Sequence, residues 1–243
     1  MKFSYHLRTE IGEKMATLAK GDMVKIDYIG RTKEDNRVFD TTIEEIAKKE
    51  GIYDEKVIYR PFTVIIGKHW LPEGLEEQLI GMKEGEQKTI EVEAKKGFGL
   101  RDRTKIRLIQ RREFQKLQIK PKEEMKVEIG GQVGTILKVS SSRVKVDFNH
   151  ELAGHDLIYE VKIIKKIDDV KEQLICLLEK RMPGVDFSNT KIELKDKEII
   201  VELPKHTRFL ESIQFTKAGV ARDIAELTKK YNVMTFIDHF DIE

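Results

Sequence analysis

The chain of 243 residues contains one cysteine and one tryptophan. Cys176 lies in an apolar stretch of helical spacing with no second thiol to meet, which excludes a disulfide framework and favours a reducing, cytoplasmic compartment. No segment approaches the roughly 18 consecutive apolar residues of a membrane-spanning helix, so no membrane partner is expected. Charge of one sign is also lacking. The 45 basic residues nearly balance 43 acidic ones, for a net charge of +2, which argues against a polycation that neutralises phosphates and against a nucleic-acid partner. His69, His150, His155, His206 and His239 are scattered, without the short Cys/His spacing of a zinc site, and neither a metal nor another cofactor is expected. No repeat or low-complexity tract is present. Met1 to Lys14 lacks the apolar stretch of a signal peptide, and Met15 offers a second start. Residues 1–18 are therefore expected to form an N-terminal extension, either disordered or a start-site artefact.

What is present suffices for two or three modules. Hydrophobic residues make up 40% and charged residues 36%, and the abundance of Lys and Glu accords with adaptation to heat. Val24, Ile26 and Tyr28 alternate with polar neighbours as a half-buried strand. A turn at Asp35-Asn36 leads to Val38-Phe39-Asp40. Thr42 and Glu45 have the spacing of a capping box before a short helix that Gly51 stops. Phe62 to Ile66 forms a continuous apolar strand. Gly74 to Ile80 is one or two helical turns with Leu75 and Leu79 on one face and Gly81 as the stop. Thr89 to Ala94 alternates again.

The character then changes. Arg101 to Lys122 carries nine basic and two acidic residues. It has no aromatic platform and is read as a solvated face rather than a nucleic-acid surface. Strands follow around Met125 to Ile129 and Gly134 to Val139. After Ser140-Ser141-Ser142 comes another at Arg143 to Phe148, and a long strand at Asp156 to Ile167 would close the first sheet. Beyond Asp168 lies an αββαβ pattern: a helix with Val170, Leu174, Leu177 and Leu178, strands near Thr190–Leu194 and Ile199–Leu203, a helix with Ala221, Ile224, Ala225 and Thr228 on one stripe, and a strand from Asn232 to Ile237.

Several distant stations look built to meet. They are Tyr28, Phe39-Asp40, the run Gly67 to Leu75, Gly97-Phe98-Gly99 and the late Tyr159. Taken singly, Tyr28, Phe39 and Phe62 suit an ordinary sheet core. Together they surround one carboxylate, Asp40, and an apolar cup with a single polar wall suits a proline ring.

The set resembles the FKBP family of peptidyl-prolyl cis–trans isomerases. The likeness is carried by Gly21-Asp22-Met23-Val24 running into Tyr28-Ile29-Gly30, by Val38-Phe39-Asp40-Thr41, by Gly67 to Glu76, by Gly81-Met82-Lys83-Glu84-Gly85-Glu86 and by Gly97-Phe98-Gly99. Val146 to Gly154 with Leu157-Ile158-Tyr159 is similar to the point where a SlyD-like protein returns from its inserted domain. The resemblance implies an α+β fold: an antiparallel sheet wrapped on a short helix (residues 19–99 plus 153–167), a β-rich insert-in-flap chaperone domain (100–152) and a C-terminal αββαβ module (168–243) like that of long archaeal members. It implies Tyr28, Asp40, Phe98 and Tyr159 as catalytic residues and Phe39, Phe62, Leu71, Pro72 and Leu75 as the substrate-binding wall and floor. The implied partners are unfolded proline-containing polypeptides, and the tail's two helices and open sheet edge suit a homodimer.

The chain departs from the family pattern twice. Pro72 has no N–H to give a substrate carbonyl where many members have one, and Phe98 stands where many have a tyrosine hydroxyl. The chain also lacks the His-rich tail of some SlyD-like relatives. These losses leave two readings open, an isomerase with chaperone activity and a holdase with a vestigial pocket.

Overall fold

Alternation of buried and half-buried residues from Val24 onward in the first strand organises the first sheet. The structure, a computed structural model, describes residues 17–240. Its elements run β1 (Met23–Thr32), β2 (Val38–Thr41), α1 (Glu44–Lys49), β3 (Phe62–Ile65), α2 (Glu73–Leu79), β4 (Gln87–Val92), β5 (Ile106–Gln110), α3 (Arg111–Lys116), β6 (Lys126–Ile129), β7 (Gln132–Val139), β8 (Arg143–Asp147) and β9 (Leu157–Ile167). The chain then continues through α4 (Val170–Arg181), β10 (Lys191–Leu194), β11 (Glu198–Glu202), α5 (Ile213–Leu227) and β12 (Val233–Ile237).

The α+β class expected from the sequence is the one observed. β1 is the hub of a five-stranded sheet, pairing antiparallel with β2, β3 and β9, while β9 also pairs with β4. One face of β1 points Val24, Ile26 and Tyr28 into a core with Leu71, Leu75 and Leu79 around α2. That burial removes large apolar side chains from water at roughly 25 cal/mol per Å². α2 ends before Gly81, whose φ of 88° only glycine adopts without strain.

Two expectations about local structure are corrected. Thr42 and Glu45 form no capping box, because α1 starts one residue later and its N-cap is Ile43. The Thr42 hydroxyl accepts from the Tyr28 N–H (3.0 Å) and donates to Asp27 (2.9 Å), tying the end of β2 to β1. The extension also ends before residue 18. Thr17 bridges to Lys83, and Leu18 is buried in the core with its N–H on the Met82 carbonyl (2.8 Å). The expectations for Met1 to Lys14 and Met15 lie outside the described residues.

Between β4 and β9 the chain leaves to build a second antiparallel sheet, ordered β5-β8-β7-β6. The basic stretch supplies β5 and α3, which sequence patterning did not reveal, and Phe114 from α3 fills the centre of the small core with Val127, Ile136, Val144 and Val146. The neck is closed at two points. Gly154 donates to the Gly99 carbonyl (2.8 Å), and the Asn149 side chain bonds both the N–H (2.9 Å) and the carbonyl (2.8 Å) of Asp102.

The C-terminal module is a three-stranded sheet, β10-β11-β12, whose last pair is parallel across the α5 connection. α4 is capped by the Asp169 carboxylate on the Glu172 N–H (2.9 Å). The module docks on the back of the first sheet, where Met23, Ile65 and Ile167 share a core with Leu174, Leu177 and Leu178. Of the expected stripe on α5 only Ile224 is buried. Ile213, Thr216, Lys217, Val220, Asp223 and Ile224 face inward, and Ala225 is exposed. Lys217 and Asp223 are buried because each meets an opposite charge, Asp238 (2.6 Å) and Arg181 respectively. Among the described residues no helix is long and apolar enough to cross a membrane.

Candidate active site

The sheet register itself assembles the aromatic cup. Asp40 pairs with Gly30, and Gly30 pairs with Tyr159 on its other side, so these residues form one row across three strands. The pairing then slips by one, Arg31 meeting Val38, which makes Phe39 the extra residue of a bulge and swings its ring over Gly30. A Cβ at Gly30 would lie 2.7 Å from the Phe39 ring and 3.0 Å from that of Tyr159. Glycine there lets the two rings meet edge to face, with centroids 5.8 Å apart. Tyr28 makes similar contacts with Phe62 (6.3 Å) and Tyr159 (6.0 Å), and Phe39 with Phe98 (6.2 Å).

Asp40 is exposed, and its Oδ2 accepts from the Tyr28 hydroxyl at 2.6 Å. Burial, reinforced by the Asp40 charge, pushes the Tyr28 phenol far above its usual range, so it stays a donor. The same two causes push Tyr159 up. No described residue accepts a hydrogen bond from the Tyr159 hydroxyl.

The opposite wall is the run before α2. Glu76, buried, accepts the N–H groups of Gly67 (2.9 Å), His69 (3.3 Å) and Trp70 (3.1 Å), fixing the loop that presents Leu71 and Pro72. The resulting cleft has a volume of about 620 Å³ and is lined by Tyr28, Phe39, Asp40, Phe62, His69, Trp70, Leu71, Pro72, Gly97, Phe98, His150, Glu151, Leu152 and Tyr159. Eight of the nine residues singled out from the sequence therefore line one cavity. Leu75 does not, since it lies fully buried one layer beneath, in the core under α2.

Sequence reasoning missed the rim from the insert's return. His150 stacks flat on Phe98 (4.4 Å, 1°), and its Nδ1 accepts from the Leu152 N–H (3.2 Å). The motif Asn149-His150-Glu151-Leu152 was visible, but nothing in its spacing aimed it at Phe98. Trp70 faces two ways, toward the cleft and against the C-terminal core.

The cleft thus lies between a sheet and one short helix, with a row of aromatics beside the Asp40 carboxylate and Glu151 on the rim from the insert. Comparison with known proteins specifies it further. The family model for "FKBP26, IF domain" matches residues 107–152, and that for "FKBP26_C-terminal" matches residues 163–241. The chain is 42% identical over 146 residues to the short-type peptidyl-prolyl cis–trans isomerase of Methanocaldococcus jannaschii, covering 60% of this chain and 92% of the relative. It is 29% identical over 117 residues to the FKBP-type 16 kDa peptidyl-prolyl cis–trans isomerase of Escherichia coli K12 (44% and 74% covered). It is 24% identical over 144 residues to the FKBP-type isomerase SlyD of Helicobacter pylori (55% and 76%). The chain belongs to the FKBP-type peptidyl-prolyl cis–trans isomerase family, as a SlyD-like member carrying both the inserted and the C-terminal domain.

Proposed function

We propose that this chain isomerises X-Pro bonds in unfolded polypeptides and that its inserted domain holds those polypeptides as a chaperone. The observation that carries the reading is the Tyr28–Asp40 hydrogen bond in a cleft whose wall is mostly aromatic and aliphatic, with Glu151 as its other carboxylate. An X-Pro bond turns over across a barrier of ~20 kcal/mol because amide resonance is broken at the twisted state. No bond to the protein is formed, so no nucleophile or base is required. The twisted imide carries less charge separation than the planar one, and a water-poor cleft penalises the planar form more. Asp40, anchored on Tyr28 with its second oxygen unengaged, is placed to make polar contact with the twisted carbonyl. The unpartnered Tyr159 hydroxyl offers a donor where Pro72 and Phe98 have none. A differential of ~4 to 7 kcal/mol corresponds to about a thousand- to hundred-thousand-fold acceleration.

Leu108, Leu117 and Val133 of the insert stand 50–63% exposed, an apolar surface suited to unfolded chains. A holdase with a vestigial pocket is favoured only by the losses at Pro72 and Phe98. The homodimer reading draws on Phe209 and Phe215 of the C-terminal module, which are 82% and 81% exposed; sedimentation of the intact chain tests it. The unpaired, buried Cys176 accords with a reducing cytoplasm. Proline-limited refolding of an unrelated protein, with catalytic amounts of this chain or its Asp40→Ala variant, decides between isomerase and holdase. Acceleration that is lost in the variant supports the isomerase. Suppressed aggregation without acceleration leaves the holdase.

A further inference from the structure

A second cavity of about 410 Å³ opens beside the proline cleft and shares Tyr28, Asp40 and Phe62 with it. Besides Thr41, Thr42 and Thr63 of the sheet, its wall comes from two places far apart in sequence. The loop before β3 brings Val57, Ile58 and Pro61, and the end of α4, in the C-terminal module, brings Glu179, Lys180 and Pro183. We infer that this cavity is a subsite for the substrate residues flanking the proline, and that Lys180 makes it prefer an acidic side chain there. The inference rests on the isomerase reading above.

Three observations carry it. The first is continuity: the Lys180 ammonium sits 3.8 Å from the centre of the Phe62 ring and 4.4 Å from that of Trp70, and both rings also wall the proline cleft. A carboxylate on Lys180 is therefore within a residue or two of a bound proline. The second is the charge balance. Arg60 pairs with Glu179 (3.2 Å) and Arg181 with Asp223, whereas no carboxylate lies within ion-pair distance of Lys180 among the described residues. The third is burial. Lys180 is half-buried, while Lys56 on the opposite rim is exposed and screened by solvent. Burial, and secondarily the neighbouring Arg181, pushes the Lys180 ammonium down to about 8. It remains charged at neutral pH, in surroundings that an incoming carboxylate would relieve and an amide would not. Val57 and Ile58, about half exposed, give the adjoining chain an apolar rim.

The charged groups around the ammonium are Arg60 and Lys56 from the loop, Asp40 with Tyr28 from the sheet, Glu179 and Arg181 from its own helix and Asp223 from α5. The preference is expected to hold at pH 7 and to fade by pH 9, as Lys180 loses its proton.

The test uses the full chain and tetrapeptide substrates with Glu or Gln at each position flanking the proline. The wild type is expected to favour Glu over Gln in kcat/KM at one position by about fivefold at pH 7, the scale of a partly screened ion pair. Lys180→Gln is expected to bring that ratio to about one. Equal ratios in the wild type and the variant, with both turning over, overturn the inference. If no peptide is turned over by the wild type, the isomerase reading is what has failed. Fluorescence of Trp70, the only tryptophan, then reads binding of the same peptides. Tighter binding of the Glu peptide by the wild type but not by the variant sustains the subsite, and no difference removes it.

Discussion

The first sheet and the inserted sheet are both antiparallel, yet sixteen buried residues stand behind the first and five behind the second. The first is covered on both faces, by α2 on one side and by α4 of the C-terminal module on the other. The insert has one small helix over one face and leaves Leu108, Leu117 and Val133 in solvent. The contrast fits the division of labour proposed above. Holding Tyr28, Phe39 and Asp40 in fixed relation needs packing on all sides. Accepting chains of many sequences needs apolar area that the fold itself has not used.

The comparison breaks most sharply at Phe114. Phe114→Ala should cost the insert about 3–5 kcal/mol, more than a five-residue core can lose. Hydrogen exchange should then show residues 106–147 open while the unfolding transition of Trp70 stays in place; a shifted Trp70 transition would mean that the two sheets unfold together. Next in size is excision of residues 103–148 behind a short linker, which the Gly99–Gly154 contact makes geometrically easy. Capture raises effective concentration, so acceleration of protein refolding should fall about a hundredfold, with turnover of a tetrapeptide falling far less. Asp40→Ala does the reverse. Losing a charge-assisted contact should lower turnover of both substrates by about ten- to a hundredfold, while the melting temperature moves by no more than a few degrees because Asp40 is exposed. The smallest effect concerns pH. Lys180 has a folded pKa near 8, below its unfolded value, so the unfolded chain binds more protons between the two. Stability should therefore rise from pH 8 to 10 by about 1 kcal/mol after allowance for solvent screening, and denaturant titrations of Lys180→Met should lack this component.

The sequence disclosed most where one face is buried and the other wet. Val24, Ile26 and Tyr28 announced β1, and the aromatic stations that follow it come together as their motifs implied. It disclosed little where charge hides packing. β5 and α3 lie within nine basic residues, and only Phe114 marks their core. On α5, Lys217 and Asp223 face inward because of partners just after β12 and on α4, so apolar periodicity alone caught only Ile224 of the buried face. The cleft was misread in depth at Leu75, which sits below the lining, and neither His150 on its rim nor Lys180 in the adjoining cavity was foreseen. Those two arrive from other domains, and no local spacing signals such an approach.

The pairing of β1 with β9 also sets a timetable. Tyr28 lies opposite Val161, more than 130 residues later, and the whole insert is made between them. At 5–20 residues per second, β1 waits roughly 7 to 27 s on the ribosome for its central neighbour. Strands β5 to β8 need only each other and can form first. During its own synthesis, then, the inserted sheet can be complete while β1 still has only β2 and β3 beside it and its edge toward β9 is open.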